Sequence, residues 1–317
     1  MANLKPIEIN KDTLVFFISN WDNEYTDFNT KRILWQNIEK LLKELKSKYN
    51  NIFSFFIPWW FKCGTEQYNL LNKYSKVTTI LANTLEEVNF YKSNNLNALF
   101  CNQNCWLDSS IYTQENCVKE FDLVLNASNA YWKNHSYLKD INKKYKTLFI
   151  TYKSNLPHNL EIYNPFLKLS SINNYEVNKN LNKSKIGLCL SKKEGSCYAS
   201  TEYLLCGLPV LSVKSVGGRD IWYNKENSIV INLNVDELNL SIDKMISNYN
   251  FYNSTKIRQD CIELQTQFKE KFYNYVEKLL PNSIPIIKNN YSNKMLHEIT
   301  LDGNEFKKCQ EIIRYFS

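Results

Sequence analysis

Five of the seven glycines in this 317-residue chain fall between Gly187 and Gly218. Glycine accepts backbone conformations that close a tight turn or let a ligand approach the chain, so this stretch constrains the fold most. Around these glycines the sequence alternates. Ile186 to Leu190 is a short apolar run, Ser191 to Ser196 a polar turn, and the stretch up to Cys206 helical in pattern; Gly207-Leu208-Pro209 is a break before a second apolar run, Val210 to Val213. Strand, loop, helix, loop, strand is the right-handed unit of a parallel sheet. Ligands of open parallel sheets bind outside the carboxyl ends of the strands, which is where Glu194-Gly195-Ser196 and Gly217-Gly218-Arg219-Asp220 are predicted to sit.

Glu194 and Glu202 are separated by seven residues. With a helix starting near Ser196, Glu194 lies on the preceding loop and Glu202 on the first two turns, a span of roughly 12 Å at helical rise. A nucleotide sugar has matching anatomy: sugar hydroxyls at one end, ribose hydroxyls at the other and a diphosphate between. Backbone N–H groups and the positive end of a helix dipole suit the diphosphate, and two carboxylates can accept from the hydroxyls. A lone pair of glutamates at this spacing would otherwise read as a solvated helix face; the glycines and the strand context argue against that here.

Glu194-GSCYAST-Glu202, Cys206-GLP-Val210 and Gly217-Gly218 together resemble the donor-binding signature of retaining glycosyltransferases of the GT-B fold, in the group called family 4. The resemblance covers roughly residues 184 to 230. It implies an α/β fold of two facing Rossmann-like parallel-sheet domains with a cleft between them. It also implies that Glu194 holds the donor sugar hydroxyls, that Glu202 holds the ribose, and that Gly195 and the backbone of Ser196, Cys197 and Tyr198 serve the phosphate and sugar. Gly217 and Gly218 would lie near the nucleotide. The family's aromatic residue and second glycine are Ser196 and Cys197 here, a departure that bears on donor identity.

The rest of the chain repeats the strand-helix order. Thr13 to Ser19, Ile52 to Ile57, Val77 to Ala82, Asn97 to Cys101, Phe121 to Asn126 and Lys146 to Thr151 read as strands, with helical stretches at Lys31 to Lys48, Leu85 to Lys92 and Lys256 to Leu280. Length allows two domains. The expected division is 1–152 for an acceptor domain, 153–280 for a donor domain and 281–317 for a helical tail returning to the first. The short interval between Thr151 and Ile186 predicts a donor domain lacking one strand-helix unit.

Three cationic or titratable candidates join the glutamates. Lys153 matches in order the basic residue that resembling enzymes place beside the diphosphate. Arg219, in an arginine-poor chain, can pair with phosphate or with Asp220. His135 lies in a stretch, Leu125 to Leu138, similar to an N-A-x-x-x-x-K-R-H segment of such enzymes with Asn134 in place of the arginine; Asn126, Lys133 and His135 are expected to project toward the cleft from the first domain, with His135 acting on sugar hydroxyls and Lys133 on phosphate. Glu194, His135 and Lys153 are the expected catalytic set. For an acceptor, Trp59 and Trp60 offer stacking faces and Asn102 a polar group, each after a predicted strand.

Composition narrows the class. No run approaches a membrane-spanning length of apolar residues, and the N-terminal residues lack the apolar core of a secretory signal, so a cytoplasmic protein is expected. Nine scattered cysteines without C-x-x-C spacing argue for buried thiols rather than a disulfide framework or zinc, and no D-x-D is present, so neither cofactor nor metal is expected. A net charge of +7 permits contact with phosphate-bearing partners, a lipid-linked acceptor or an anionic membrane included. No basic segment stands out as a nucleic-acid footprint. The expected activity is transfer of a sugar from a nucleotide diphosphate sugar to a glycan or lipid-linked acceptor, with retention carried by the resemblance alone. A sugar-nucleotide epimerase or phosphorylase of the same fold, and a non-catalytic nucleotide-sugar-binding module, are the alternatives.

Overall fold

The computed structural model describes residues 2–20, 28–128, 130–141, 143–151, 167–170, 172–290 and 300–301. Its strands are β1 (Ala2–Asn10), β2 (Thr13–Asn20), β3 (Asn51–Pro58), β4 (Val77–Ala82), β5 (Ala98–Phe100), β6 (Phe121–Asn126), β7 (Thr147–Thr151), β8 (Leu167–Ser170), β9 (Ser184–Cys189), β10 (Val210–Val213), β11 (Ser228–Ile231) and β12 (Thr300–Leu301). The α-helices are α1 (Phe28–Lys48), α2 (Thr65–Tyr74), α3 (Leu85–Ser93), α4 (Asn174–Asn182), α5 (Tyr198–Leu205), α6 (Val235–Ser247), α7 (Ser254–Leu279) and α8 (Ile284–Asn290). They fall into two compact units: residues up to Trp106 with those from Gln267 onward, and Leu107–Thr266.

In the first unit β2, β3, β4 and β5 lie side by side in sequence order and run parallel. Right-handed crossovers that always step the same way put every connecting helix on one face. Leu14, Phe16 and Ile18 of β2, with Ile52 and Phe56 of β3, therefore share a core with Leu34, Ile38 and Leu41 of α1, Leu71 of α2 and Tyr91 of α3. Alternation along the strands leaves Phe17 and Phe55 on the opposite face, stacked at 5.1 Å between ring centroids. There the second half of α7 covers them: Phe272 lies 6.0 Å from Phe17 and 5.3 Å from Phe55, and the Tyr275 hydroxyl meets Thr79 Oγ1 at 2.8 Å. Cover on both faces is why Ile52 to Ile57 reads as apolar nearly throughout. β1 pairs antiparallel with β2, and β12 antiparallel with β1, while α8 lies against β1. Lys5, Pro6 and Glu8 break the apolar pattern of β1, which is why the sequence does not announce that strand.

The second unit carries a six-stranded sheet, wholly parallel, in the order β11-β10-β9-β6-β7-β8. β6, β7 and β8 step one way, and β9 returns to the other side of β6 before β10 and β11 continue outward. This is the Rossmann order, with its switch point between β6 and β9. It moves the division expected near residue 152. β6 and β7 hydrogen-bond into the sheet of β9 rather than that of β2 to β5, so the second unit starts at Leu107. Nor does this unit lack a strand-helix pair, because β8 and α4 occupy the interval before β9.

Candidate functional site

The site builds from the carboxyl ends of β6 and β9, at the switch point of the second sheet. Asn126 is the last residue of β6 and Glu194 lies on the loop after β9. The loop after β6 winds through one short turn, Tyr131–Lys133, to Asn134, whose φ of 54° is left-handed and whose Nδ2 donates to the Leu190 carbonyl at 2.8 Å. That bond ties the two loops together and brings Lys133 onto Glu194. The Glu194 Oε1 accepts from Lys133 Nζ and from Ser191 Oγ; Oε2 takes part in neither contact. Burial works to lower the Lys133 pKa, but the adjacent Glu194 carboxylate, with Cys197 and Cys189 adding to it, makes the net shift upward. A buried lysine–glutamate ion pair thus stands just ahead of the first turn of α5.

The glycine loops pack on this pair. Lys193 and Val216 form a parallel bridge, Glu194 N donates to Val216 O at 3.0 Å, and Gly218 N to Gly195 O at 2.5 Å. Gly217 has φ 121°, and a Cβ placed there would stand 1.5 Å from the Glu194 carbonyl oxygen, so no other residue fits without moving the loop. Ser196 is buried, Tyr198 opens α5, and Cys197 between them is the N-cap residue at φ 60°. The left-handed conformation at Cys197 explains the glycine of the resembling motif at that place: an L side chain there costs about 1–2 kcal/mol.

Glu202 is buried on α5. Its Oε1 accepts from the Tyr112 hydroxyl at 2.9 Å and its Oε2 from Asn126 Nδ2 at 2.6 Å. Burial lifts its pKa to about 7 although both bonds oppose the rise.

Four sequence expectations are corrected. Asn126, Lys133 and His135 belong to the same unit as Glu194, not to the first domain, because β6 joins the sheet of β9. His135 does not project outward: its ring packs 5.1 Å from that of Phe149, and burial, with the Lys133 charge adding to it, lowers its pKa to about 4, leaving a neutral imidazole. Arg219 is not open to a phosphate. With no exposed side-chain surface, it donates to Asp220 Oδ1 (3.0 Å), Ser191 O (2.9 Å), Ser191 Oγ (3.2 Å) and Val213 O, clamping the ends of β9 and β10. Asn102, in the first unit, is buried rather than on a rim; its Nδ2 donates to Asn83 O at 3.1 Å and its Oδ1 accepts from Asn104 N at 3.0 Å. Trp59 and Trp60 follow β3 and are half-buried. Lys153 lies outside the described residues.

The sequence does not single out Tyr112 or Ser191. Ser191 stands three residues before Glu194 and could be read as a local turn partner. Tyr112 reaches Glu202 across 90 residues, and nothing local signals it. Among the described residues no three His, Cys, Asp or Glu side chains gather to hold a metal ion, and no helix is long and apolar enough to cross a membrane.

Comparison with known proteins bears on this geometry. Residues 151–265 match the family model described as glycosyl transferases group 1. No curated protein matches the chain by sequence. Among solved structures the chain is similar to Anabaena HepE in complex with UDP and glucose, at 12% identity and a TM-score of 0.58 over 77% of this chain and 81% of that one. It is similar to sucrose-phosphate synthase from Thermosynechococcus elongatus at 10% identity and a TM-score of 0.62, covering 80% of each. It is also similar to a glycosyltransferase from Rickettsia africae at 13% identity and a TM-score of 0.58, over 82% of this chain and 84% of that one. These likenesses establish the fold: two Rossmann-like parallel-sheet α/β units of the kind found in GT-B glycosyltransferases.

Proposed function

We propose that the chain is a cytoplasmic glycosyltransferase that moves a sugar from a nucleotide diphosphate sugar to a glycan or lipid-linked acceptor, with retention and without a metal. The observation that carries this reading is the Lys133–Glu194 pair at the switch point of a Rossmann-ordered sheet, held at the entrance of α5 by two interlocked glycine loops. Carboxylate, ammonium and helix dipole there answer the three parts of a donor: sugar hydroxyls, diphosphate charge and the direction of approach. Glu194 takes the sugar hydroxyls, Lys133 exchanges its carboxylate partner for a phosphate oxygen, and Glu202 faces the ribose. As the bond between the anomeric carbon and the leaving oxygen stretches, Lys133 and the α5 dipole stabilise the charge growing on the diphosphate. Lys153, next after β7 and its neighbour Tyr152 in sequence, is the second cation of the proposal.

HepE is described in complex with UDP and glucose, which favours uridine as the base. The net charge of +7 suits an acceptor that carries phosphate. Titration with UDP-, GDP-, ADP- and CMP-sugars, followed by measurement of nucleotide released with and without a glycan acceptor, tests the reading. One nucleotide class should bind saturably and be released on turnover, and Glu194→Gln should abolish turnover. Absence of saturable binding by all four would overturn it, and binding without any release would leave a non-catalytic module.

A further inference from the structure

Around Glu202 one polar atom is unspent. Asn126 Nδ2 donates to Glu202 Oε2 at 2.6 Å, which leaves the amide's carbonyl oxygen Oδ1 in the other direction. Asn126 is 2% exposed, and its Oδ1 has no hydrogen-bond partner. A buried acceptor in this condition calls for a donor from a ligand or water. An amide carbonyl beside a carboxylate would repel an anion, while it suits a neighbour that arrives with hydroxyl groups.

The other carboxylate oxygen is held by Tyr112, and Tyr112 is itself held. Arg258 of α7 donates from Nη1 to the Tyr112 carbonyl at 2.5 Å and to the Leu205 carbonyl at the end of α5, and from Nη2 to the Ser109 carbonyl at 2.7 Å. Thr113 N is bonded to Asn178 Oδ1 at 2.8 Å. One guanidinium thus fixes the loop bearing Tyr112 to the helix bearing Glu202, so the hydroxyl meets the carboxylate at a set place.

Resting on the donor-site reading above, we propose that Asn126 and Tyr112 complete a ribose-reading unit with Glu202. Asn126 Oδ1 accepts from one of the vicinal ribose hydroxyls and Glu202 from the other, and Tyr112 is the positioning residue that holds the carboxylate. The titratable groups around Glu202 are Tyr112 from the loop, Tyr203 from α5 and Cys206 just after that helix, with Arg258 and Lys119 beyond Cys206. The bond from Tyr112 opposes the upward pull of burial on Glu202, so losing that hydroxyl moves the carboxyl pKa higher still.

The test is calorimetric titration of the full chain with UDP and GDP, each against its 2′,3′-dideoxy form. The wild type should favour the ribonucleotide by at least about tenfold, the expected loss when two buried acceptors go unmet. Asn126→Ala and Tyr112→Phe should each cut that preference to less than about threefold. In Tyr112→Phe the pH midpoint of the remaining preference should also move upward, a displacement that loss of packing alone would not produce. If Asn126→Ala fails to fold, Tyr112→Phe decides through that midpoint. Equal binding of ribo and dideoxy forms by the wild type, or an unaltered preference and midpoint in the variants, would sink the ribose unit alone. Failure of UDP and GDP alike to bind, with no UDP-, GDP-, ADP- or CMP-sugar binding either, would sink it together with the donor site.

Discussion

Arg219 offers a sharp division between structural and ligand-binding roles, and Arg219→Met is the perturbation that draws it. Methionine approximates the length of the aliphatic stem and removes every donor. Two buried carbonyls, Ser191 O and Val213 O, then lose a charged partner, and Asp220 Oδ1 loses its counter-charge. Bonds to a charged donor are worth about 1.5–3 kcal/mol each, but breaking a buried pair costs about 3–5 kcal/mol in total once the strands relax and water enters. A loss of about 4 kcal/mol is the working figure, close to three decades in an opening equilibrium. Amide hydrogen exchange followed by mass spectrometry over residues 187–220 reads that loss directly, since β9 and β10 lose their common clamp. Exchange should quicken by about two to three decades, with UDP affinity falling as a consequence. Arg219→Lys keeps the charge but not the fork, and should recover less than half of the loss. Unaltered exchange accompanied by loss of UDP binding would refute the clamp and return the guanidinium to the phosphate.

Gly217→Ala should cost about 2–4 kcal/mol, the sum of a left-handed backbone and the bonds at Glu194 N and Gly218 N, and should lower the urea midpoint of the second unit; an unmoved midpoint counts against the interlocked loops. Acid sensitivity should come from His135. Its folded pKa is about 4 against an ordinary 6.5, so its contribution is full above 6.5 and is lost as pH falls toward 4, amounting to about 3 kcal/mol. His135→Phe, which keeps the contact with Phe149, should flatten urea stability between those two pH values. Glu202 has the opposite sign: with a folded pKa near 7 against 4.5, its contribution is full below 4.5 and is lost as pH rises through 7. Glu202→Gln should therefore be more stable than wild type at pH 8 and should bind nucleotide more weakly; a variant less stable at that pH speaks against the burial cost.

What the sequence displays and what it hides divide along the range of the interactions. Gly207 and Gly217 are legible because their φ values, 74° and 121°, are local demands that few other residues meet. The strand-helix alternation is legible for the same reason, and β2 to β7 lie close to where their apolar runs place them. The choice of sheet is not local. β6 resembles β4 in composition, yet it pairs with β9, whose first residue is 58 positions beyond the end of β6. No pattern within either segment states that pairing. Arg219 shows the other kind of error: scarcity next to two glycines marks an important residue but cannot tell a phosphate ligand from a clamp, because that depends on carbonyls 6 and 28 residues away converging on one guanidinium. The Lys133–Glu194 pair spans 61 residues and follows from the same misplaced strand. Had β9 continued outward beyond β8, the loops after β6 and β9 would open in different parts of the sheet edge. Because it returns beside β6, those loops leave adjacent strand ends and are tied by the Asn134–Leu190 bond, which brings Lys133 and Glu194 together. The long-range pairing that no local pattern reveals is therefore also the step that makes a site possible.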